Sequence, residues 1–278
     1  MITIKSALAD GRERLQGSPS AALDARIVLC HVLHCQDAHL FTWPEQQLNA
    51  EQCERYDQLL ERRVAGEPVA YLVGEREFYG RNFSVNAATL IPRPDTETLI
   101  DAALTLDRSR VLRVVDAGTG SGAVGVTLAL ECPLWQVTVM DRSQAALSVA
   151  AANARSLGAK VYPFCGDWLA AIRAPIDLVI SNPPYIDDQD PHLNQGDVRY
   201  EPRSALVADK RGLADIETLV VQAGECLTPG GWLMVEHGYQ QAEAVATLFI
   251  RGGFERVSCQ EDMAGHPRVT VGQWRAVC

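Results

Sequence analysis

The chain has 278 residues, of which 47% are apolar and 22% charged, a balance that suits a folded globular protein and excludes a disordered one. That length predicts one large domain with a smaller one beside it. The formal charge of −10 counts against a broad nucleic-acid surface, which needs basic stripes, and suits a basic protein partner instead.

No run of eighteen apolar residues occurs, and Met1-Ile2-Thr3-Ile4-Lys5 lacks the apolar core of a signal peptide, so no membrane association is expected. The eight cysteines (30, 35, 53, 132, 165, 226, 259 and 278) form no Cys-x-x-Cys pair, and several sit in apolar runs as buried thiols do. Together these features predict a reducing, cytoplasmic setting.

Residues 1–72 read as a helical domain. Ser18-Pro19 is the expected N-cap and first helical position of a helix whose apolar spacing runs through Leu33. Asn49-Ala50-Glu51-Gln52 has the form of a capping box, opening a helix that carries Tyr56, Leu59, Leu60 and Val64. Cys30 and His34, like His31 and Cys35, are four residues apart and would share a helix face. A metal usually takes four ligands, and no second pair lies nearby in sequence, so a packed face and no metal are expected. The domain shows no glycine-rich loop or catalytic cluster, and partner recognition is its expected role.

Residues 73–90 are expected to join the two domains as a hairpin, Phe78 to Val85, with its turn in or near residues 80–82. Leu90-Ile91-Pro92-Arg93-Pro94 cannot be helical, and Asp95-Thr96-Glu97 then opens a helix through Leu104. From residue 111 the pattern alternates between strands and helices. Strands are expected at 111–115, 135–140, 161–165, 176–181 and 232–236, with helices up to about 131, then at 143–157, 215–226 and 242–251, and two terminal strands. Residues 91–278 therefore predict an α/β domain with a mostly parallel sheet covered on both faces.

Two segments of this domain carry chemistry. The first is the loop Asp116-Ala117-Gly118-Thr119-Gly120-Ser121-Gly122 between a strand and a helix, where backbone lies open to close approach by a ligand. Gly118, Gly120 and Ala123 also satisfy a relaxed dinucleotide pattern, with Asp141 at the distance of a ribose-binding acid, so a nicotinamide oxidoreductase fits this segment taken alone. Asp116 disfavours that reading, because an acid before the glycines repels a pyrophosphate and suits a cationic amino acid group. Asp167 and Trp168, at the end of the third strand, suit an adenine amine and its ring. An adenosine joined to a cationic amino acid describes S-adenosylmethionine.

The second is Asn182-Pro183-Pro184-Tyr185, which stops the apolar strand Leu178-Val179-Ile180. Two prolines lack N–H groups and hold φ near −65°, leaving a stiff corner whose unpaired backbone groups are acceptors. Asn182 adds a side-chain carbonyl, and Tyr185 an aromatic face with a polar tip. A planar –NH₂ group fits such a site: two fixed acceptors take its hydrogens and direct its lone pair at an electrophile.

These motifs are similar to those of class I methyltransferases acting on amino nitrogen. Residues 90–97, Tyr200-Glu201-Pro202-Arg203-Ser204-Ala205-Leu206 and Glu236-His237-Gly238 narrow the resemblance to the PrmC/HemK family, over most of the chain. The resemblance implies a Rossmann-like, S-adenosylmethionine-dependent domain behind a small helical domain. It further implies methylation of the Gly-Gly-Gln glutamine amide in class I peptide-chain release factors, with S-adenosylhomocysteine as product. On that basis Asp116, Gly118, Thr119, Gly120, Ser121, Gly122, Asp141, Asp167, Trp168 and Asn182 line the cofactor site. Asn182, Pro183, Pro184 and Tyr185 form the catalytic and substrate-binding corner, with the Asn182 side chain and Pro183 carbonyl as acceptors and Tyr185 packed beside the amide. A monomer with no direct nucleic-acid contact is expected. Asp177, Glu236 and His237 are expected to be structural. The chain departs from the family at residues 207–213, Val-Ala-Asp-Lys-Arg-Gly-Leu, where glycines and Asp-Gly-Leu are usual. Adenine-N6 nucleic-acid methylation is the competing reading, since Asn-Pro-Pro-Tyr also suits that amine. A non-catalytic cofactor-binding module is the alternative from another class.

Overall fold

The computed structural model describes residues 2–275. These fall into two compact units: the residues up to Glu75 together with Asn194–Tyr200, and Arg76–Leu193 with the chain from Glu201 onward.

The first unit contains α1 (Ile4–Arg14), α2 (Ala21–Leu33), α3 (Asp37–Thr42), α4 (Ala50–Val64) and α5 (Val69–Val73). Ile4, Val28, Leu29 and Leu60 form its fully buried centre. Asn49 caps α4 through the capping box expected of it. Ser18 does not cap α2. That helix opens at Ala21 with Ser20 at the N-cap position, and the Ser18 and Ser20 hydroxyls both donate to the buried Asp24 carboxylate instead. His34 ends α2 in the left-handed region at φ 51°, so it leaves the helical face it was expected to share with Cys30. Among the described residues no group of three or more His, Cys, Asp or Glu side chains is set to hold a metal.

Asn194–Tyr200 belongs to this unit although it lies far along the chain, which the sequence order does not reveal. Arg63 accounts for it: the guanidinium donates to Asp24 and to Asp197, each at 2.8 Å. Arg199 and the Tyr200 hydroxyl both donate to the Ala65 carbonyl.

The hairpin is β1 (Glu75–Phe78) and β2 (Arg81–Ser84), with its two-residue turn at Tyr79-Gly80, so Gly80 lies in the turn and Arg81 and Asn82 next to it. Both turn residues have positive φ, 51° and 73°, which matches the twist of the flanking strands. From Arg76 onward the hairpin is more than a connector. Phe78 and Phe83 enter the core of the second unit, and Tyr79 bonds Glu97 and Asp101.

The rest of the second unit is α6 (Glu97–Leu104), β3 (Arg113–Ala117), α7 (Ala123–Glu131), β4 (Gln136–Asp141), α8 (Gln144–Leu157), β5 (Val161–Cys165), β6 (Ile176–Ser181), the short α9 (Asp209–Gly212), α10 (Ala214–Cys226), β7 (Leu227–Glu236), α11 (Ala242–Gly252), β8 (Phe254–Glu261) and β9 (Pro267–Trp274). β3 begins two residues later than expected because Val111 is exposed and Arg113 is the first residue in register with β4. The seven strands run β5-β4-β3-β6-β7-β9-β8, parallel except for the antiparallel pairs that β9 makes with β7 and β8. Both faces are covered. Val114, Leu178 and Ile180 pack on the side of α6 and α7, and Val115 and Val179 on the side of α10 and α11.

Strand order reverses between β3 and β6, the switch point where ligands bind in open α/β sheets. The buried Asn153 of α8 braces this end. Its Oδ1 accepts the Ser84 N–H, and its Nδ2 donates to the Ser84 and Ser121 carbonyls, all within 2.9 Å. One amide thus links the hairpin to the glycine loop. Asn153→Ala strands three backbone groups, of which the Ser121 carbonyl is buried, and is expected to cost about 1–3 kcal/mol. A fall in urea midpoint at unchanged slope measures it.

Candidate active site

Beyond the carboxyl ends of β3, β4 and β6 lies a cavity of about 380 Å³, lined on one side by Gly118, Thr119, Gly120 and Ser121. Asp116, Asp141, Asp167, Trp168 and Asn182 border it as well, so most of the residues singled out in the sequence converge on one space. Gly122 does not. Its backbone has φ 85°, and a β-carbon there would lie 3.0 Å from that of Ala150, so this glycine lets α7 pack against α8.

The acids first shape the loop. Asp116 is buried, and its Oδ2 accepts the Thr119 hydroxyl at 2.5 Å and the Gly125 N–H at 2.9 Å. It is thus a brace for the turn, a role that sequence spacing does not reveal. Burial pushes its carboxyl up to about 6, against the pull of those two donors. Asp141 accepts the Gly120 N–H through Oδ2 and the Ser143 N–H through Oδ1, which fixes the loop relative to β4 and the start of α8. Trp168 has φ 46°, and its ring stands so close to Gly118 that a β-carbon there would lie 3.2 Å away.

The opposite wall comes from the two segments at 88–96 and 202–205, whose meeting the sequence does not show. Buried Glu201 joins them: it accepts the Ile91 N–H at 3.0 Å and pairs with Arg93. The proline-rich segment is therefore a wall of the cavity, held in place by a carboxylate more than a hundred residues away.

At the proline corner, Asn182 Nδ2 donates to Thr96 Oγ1 at 3.1 Å. Pro184 borders the cavity with Asn182, whereas Pro183 and Tyr185 lie outside its lining. The Tyr185 hydroxyl points away, donating to Glu236 Oε1 at 3.2 Å. Burial pushes the Tyr185 hydroxyl well above its usual range, with the Glu236 charge acting in the same direction. The Tyr185 carbonyl accepts Gln241 Nε2, which also bonds the Arg211 carbonyl. Residues 210–212 all have positive φ (56°, 59° and 79°), and Gly212 abuts Tyr185 so closely that a β-carbon would clash with its carbonyl. This is where the loop that departs from the family packs. Of the three residues expected to be structural, Asp177 pairs with Arg113 at 2.9 Å, and His237 bonds Thr270 at 2.8 Å and Gly238.

The fold matches that of solved methyltransferases. A methyltransferase from Pyrococcus furiosus superposes with a TM-score of 0.53 at 16% identity, covering 80% of this chain and 100% of that one. A 16S rRNA N2 methyltransferase from Thermus thermophilus, in complex with AdoMet and guanosine, gives 0.52 at 18% identity, covering 72% and 50%. At such identities the likeness shows the fold alone. Residues 95–197 match the family model of the methyltransferase small domain, and the class is therefore a class I methyltransferase. Residues 6–74 match the PrmC N-terminal domain. The release factor glutamine methyltransferase of Vibrio cholerae is 45% identical over 99% of this chain and 98% of its own length, and that of Escherichia coli is 44% identical over 96% and 97%. The chain belongs to the release factor glutamine methyltransferase family.

The raised Asp116 carboxyl sets a pH test. Its folded pKa of about 6 lies above the usual carboxylate value near 4, so its contribution to stability is complete below about pH 4 and is lost as pH rises through 6. Asp116→Asn removes that ionisation. The unfolding free energy of the natural chain should fall relative to the variant by on the order of 2 kcal/mol between about pH 4 and 7. A pH-independent difference in denaturant titrations would contradict the assignment.

Proposed function

We propose that this methyltransferase uses S-adenosylmethionine to methylate the side-chain amide nitrogen of the glutamine in the Gly-Gly-Gln motif of class I peptide-chain release factors. This modification supports translation termination. The observation that carries the reading is the polarity of the proline corner. Asn182 spends its Nδ2 on Thr96, so the end left for a ligand is its carbonyl oxygen, and the adjacent prolines have no N–H to offer. A corner of acceptors suits a group with two hydrogens to give.

The donor set beside it fits the cofactor. Asp116, Asp141 and Asp167 border the cavity, which suits ribose hydroxyls, an adenine amine and an ammonium and disfavours a pyrophosphate. Asp141 would face the ribose and Trp168 the adenine, while the glycine loop keeps side chains out of the way. When bound, the cofactor supplies an electrophilic methyl group.

The chain's own part is orientation. Asn182 Oδ1, on the cavity, would accept one amide hydrogen and the carbonyl of Pro183, outside the lining itself, the other, drawing the nitrogen lone pair out of conjugation. Tyr185 stiffens the corner from behind. No covalent intermediate forms on the enzyme, and the amide proton passes to water after the transfer. Residues 1–72 would grip the protein substrate away from the reacting loop. The proposed setting is a monomer in the cytoplasm that makes no direct contact with nucleic acid.

Transfer of labelled methyl to a purified release factor, with mass mapping of the product, tests this reading. Label on the Gly-Gly-Gln glutamine is expected, and label in DNA alone would refute it in favour of adenine methylation. Asn182→Ala should lower kcat by ~100-fold or more, the usual cost of one placed transition-state contact. Undiminished turnover would remove Asn182 from its role.

A further inference from the structure

Behind the acceptor corner lies a buried polar cluster built from four separate segments. Glu236, at the end of β7, is 1% exposed. Its Oε1 accepts the Tyr185 hydroxyl, the Thr96 hydroxyl neighbours the carboxyl, and its Oε2 is buried with no hydrogen-bond partner. Arg268 of β9 faces the same carboxyl and is itself paired with Asp95 and Asp262, each at 3.1 Å.

Thr96 is the link between this cluster and the cavity, and it has only one proton to donate. If that proton is given to the neighbouring Glu236, the lone pairs of Oγ1 are left for Asn182, and only Nδ2 can meet them. Asn182 Oδ1 is then turned to the other side. Were the proton given to Asn182 instead, the amide would turn over and offer its own –NH₂ to a substrate that also brings –NH₂.

We propose that Glu236 is a positioning residue for amide methylation: by holding the Thr96 hydroxyl, it fixes Asn182 with its carbonyl oxygen toward the substrate. The proposal rests on the reading of Asn182 as an acceptor given above, and it assigns Glu236 a role beyond the packing that its sequence context suggests. Burial pushes the carboxyl up to about 7, with Thr96, Arg268 and Tyr185 opposing and Asp95 reinforcing the shift. The groups facing it are Tyr185 at the corner, Asp95 and Thr96 ahead of α6, and Arg268 on β9. Arg268 stays charged and Tyr185 stays neutral near pH 7. Proton uptake by Glu236 turns the carboxyl into a donor toward Thr96, which frees the Thr96 proton for Asn182 and weakens the lock.

The test compares Glu236→Gln, Thr96→Val and Thr96→Ser in the full-length protein. A glutamine amide donates to Thr96 as a protonated carboxyl does, and valine removes the hydroxyl. Both variants should lower kcat for release-factor methylation by ~10-fold or more while leaving S-adenosylmethionine affinity within about twofold. Thr96→Ser restores a hydroxyl and should recover most of the loss seen with valine. The kcat of the natural chain should fall as pH drops below about 7, and that of Glu236→Gln should be flat there. Independently of turnover, the Asn182 side-chain amide protons, followed by ¹⁵N NMR, should exchange faster in Glu236→Gln and Thr96→Val.

Full kcat in Glu236→Gln overturns the proposal, as do equal losses in Thr96→Ser and Thr96→Val. Parallel losses in kcat and cofactor affinity mark a merely structural residue and overturn it too. If the natural chain leaves the release factor unlabelled, the functional reading fails. The NMR arm then decides, and unchanged Asn182 exchange overturns the positioning role.

Discussion

A single buried hydrogen bond, from the Ser181 hydroxyl to the Ala117 carbonyl at 2.6 Å, ties the end of β6 to the end of β3. One strand delivers the proline corner and the other the glycine turn, and they lie side by side because strand order reverses between them. The groups proposed to react therefore stand on adjacent rigid elements. Such placement holds their separation far more tightly than two surface loops would. The outer bonds of Asn153, Glu201 and Thr96 each attach a further wall to this junction.

The cavity departs from the usual aversion to buried charge. Asp116 and Glu236 are both almost wholly buried, and both carboxyls are raised toward neutrality. A hydroxyl and a backbone N–H answer much of the desolvation at Asp116, whereas Glu236 has the Tyr185 hydroxyl on Oε1 and an unpartnered Oε2. The sequence reading treated acids near the glycine loop as ligands for a cofactor. In the fold, Asp116 first holds the Thr119 hydroxyl of the loop and the Gly125 N–H of α7, and Asp141 the Gly120 N–H, and whatever they offer a ligand comes from the remaining lone pairs.

What was legible in the sequence follows from how local each signal is. The run Leu178-Val179-Ile180 has no alternation because both faces of β6 are covered, and the capping box at Asn49 needs only four residues. The glycine loop and Asn182 announce themselves in the same way. Three features did not: the bridge from Glu201 to Ile91 and Arg93, the Asn153 brace, and the Thr96 contact with Asn182. Each joins residues separated by 32 or more positions, and nothing in either segment names its partner. The Ser18 cap failed for a related reason. Its side chain is turned to Asp24, itself bonded by Arg63 from another helix, and its oxygen accepts the Ser20 N–H rather than one from the first turn of α2. Tyr79 entered a left-handed turn that its side chain does not advertise, because the hairpin's twist outweighed its local preference.

The segment beneath Tyr185 bears on how freely parts can be exchanged among homologues. Lys210 and Arg211 hold left-handed backbone without being glycine, at a cost of ~1 kcal/mol each, and Gly212 follows them against the Tyr185 carbonyl. Surface loops ordinarily tolerate changes of length. This one has no such latitude, because a residue added or lost before Gly212 would drive a side chain into the corner. A graft of a glycine-richer counterpart would relax the first two positions, yet it would have to be spliced with its count of residues unchanged.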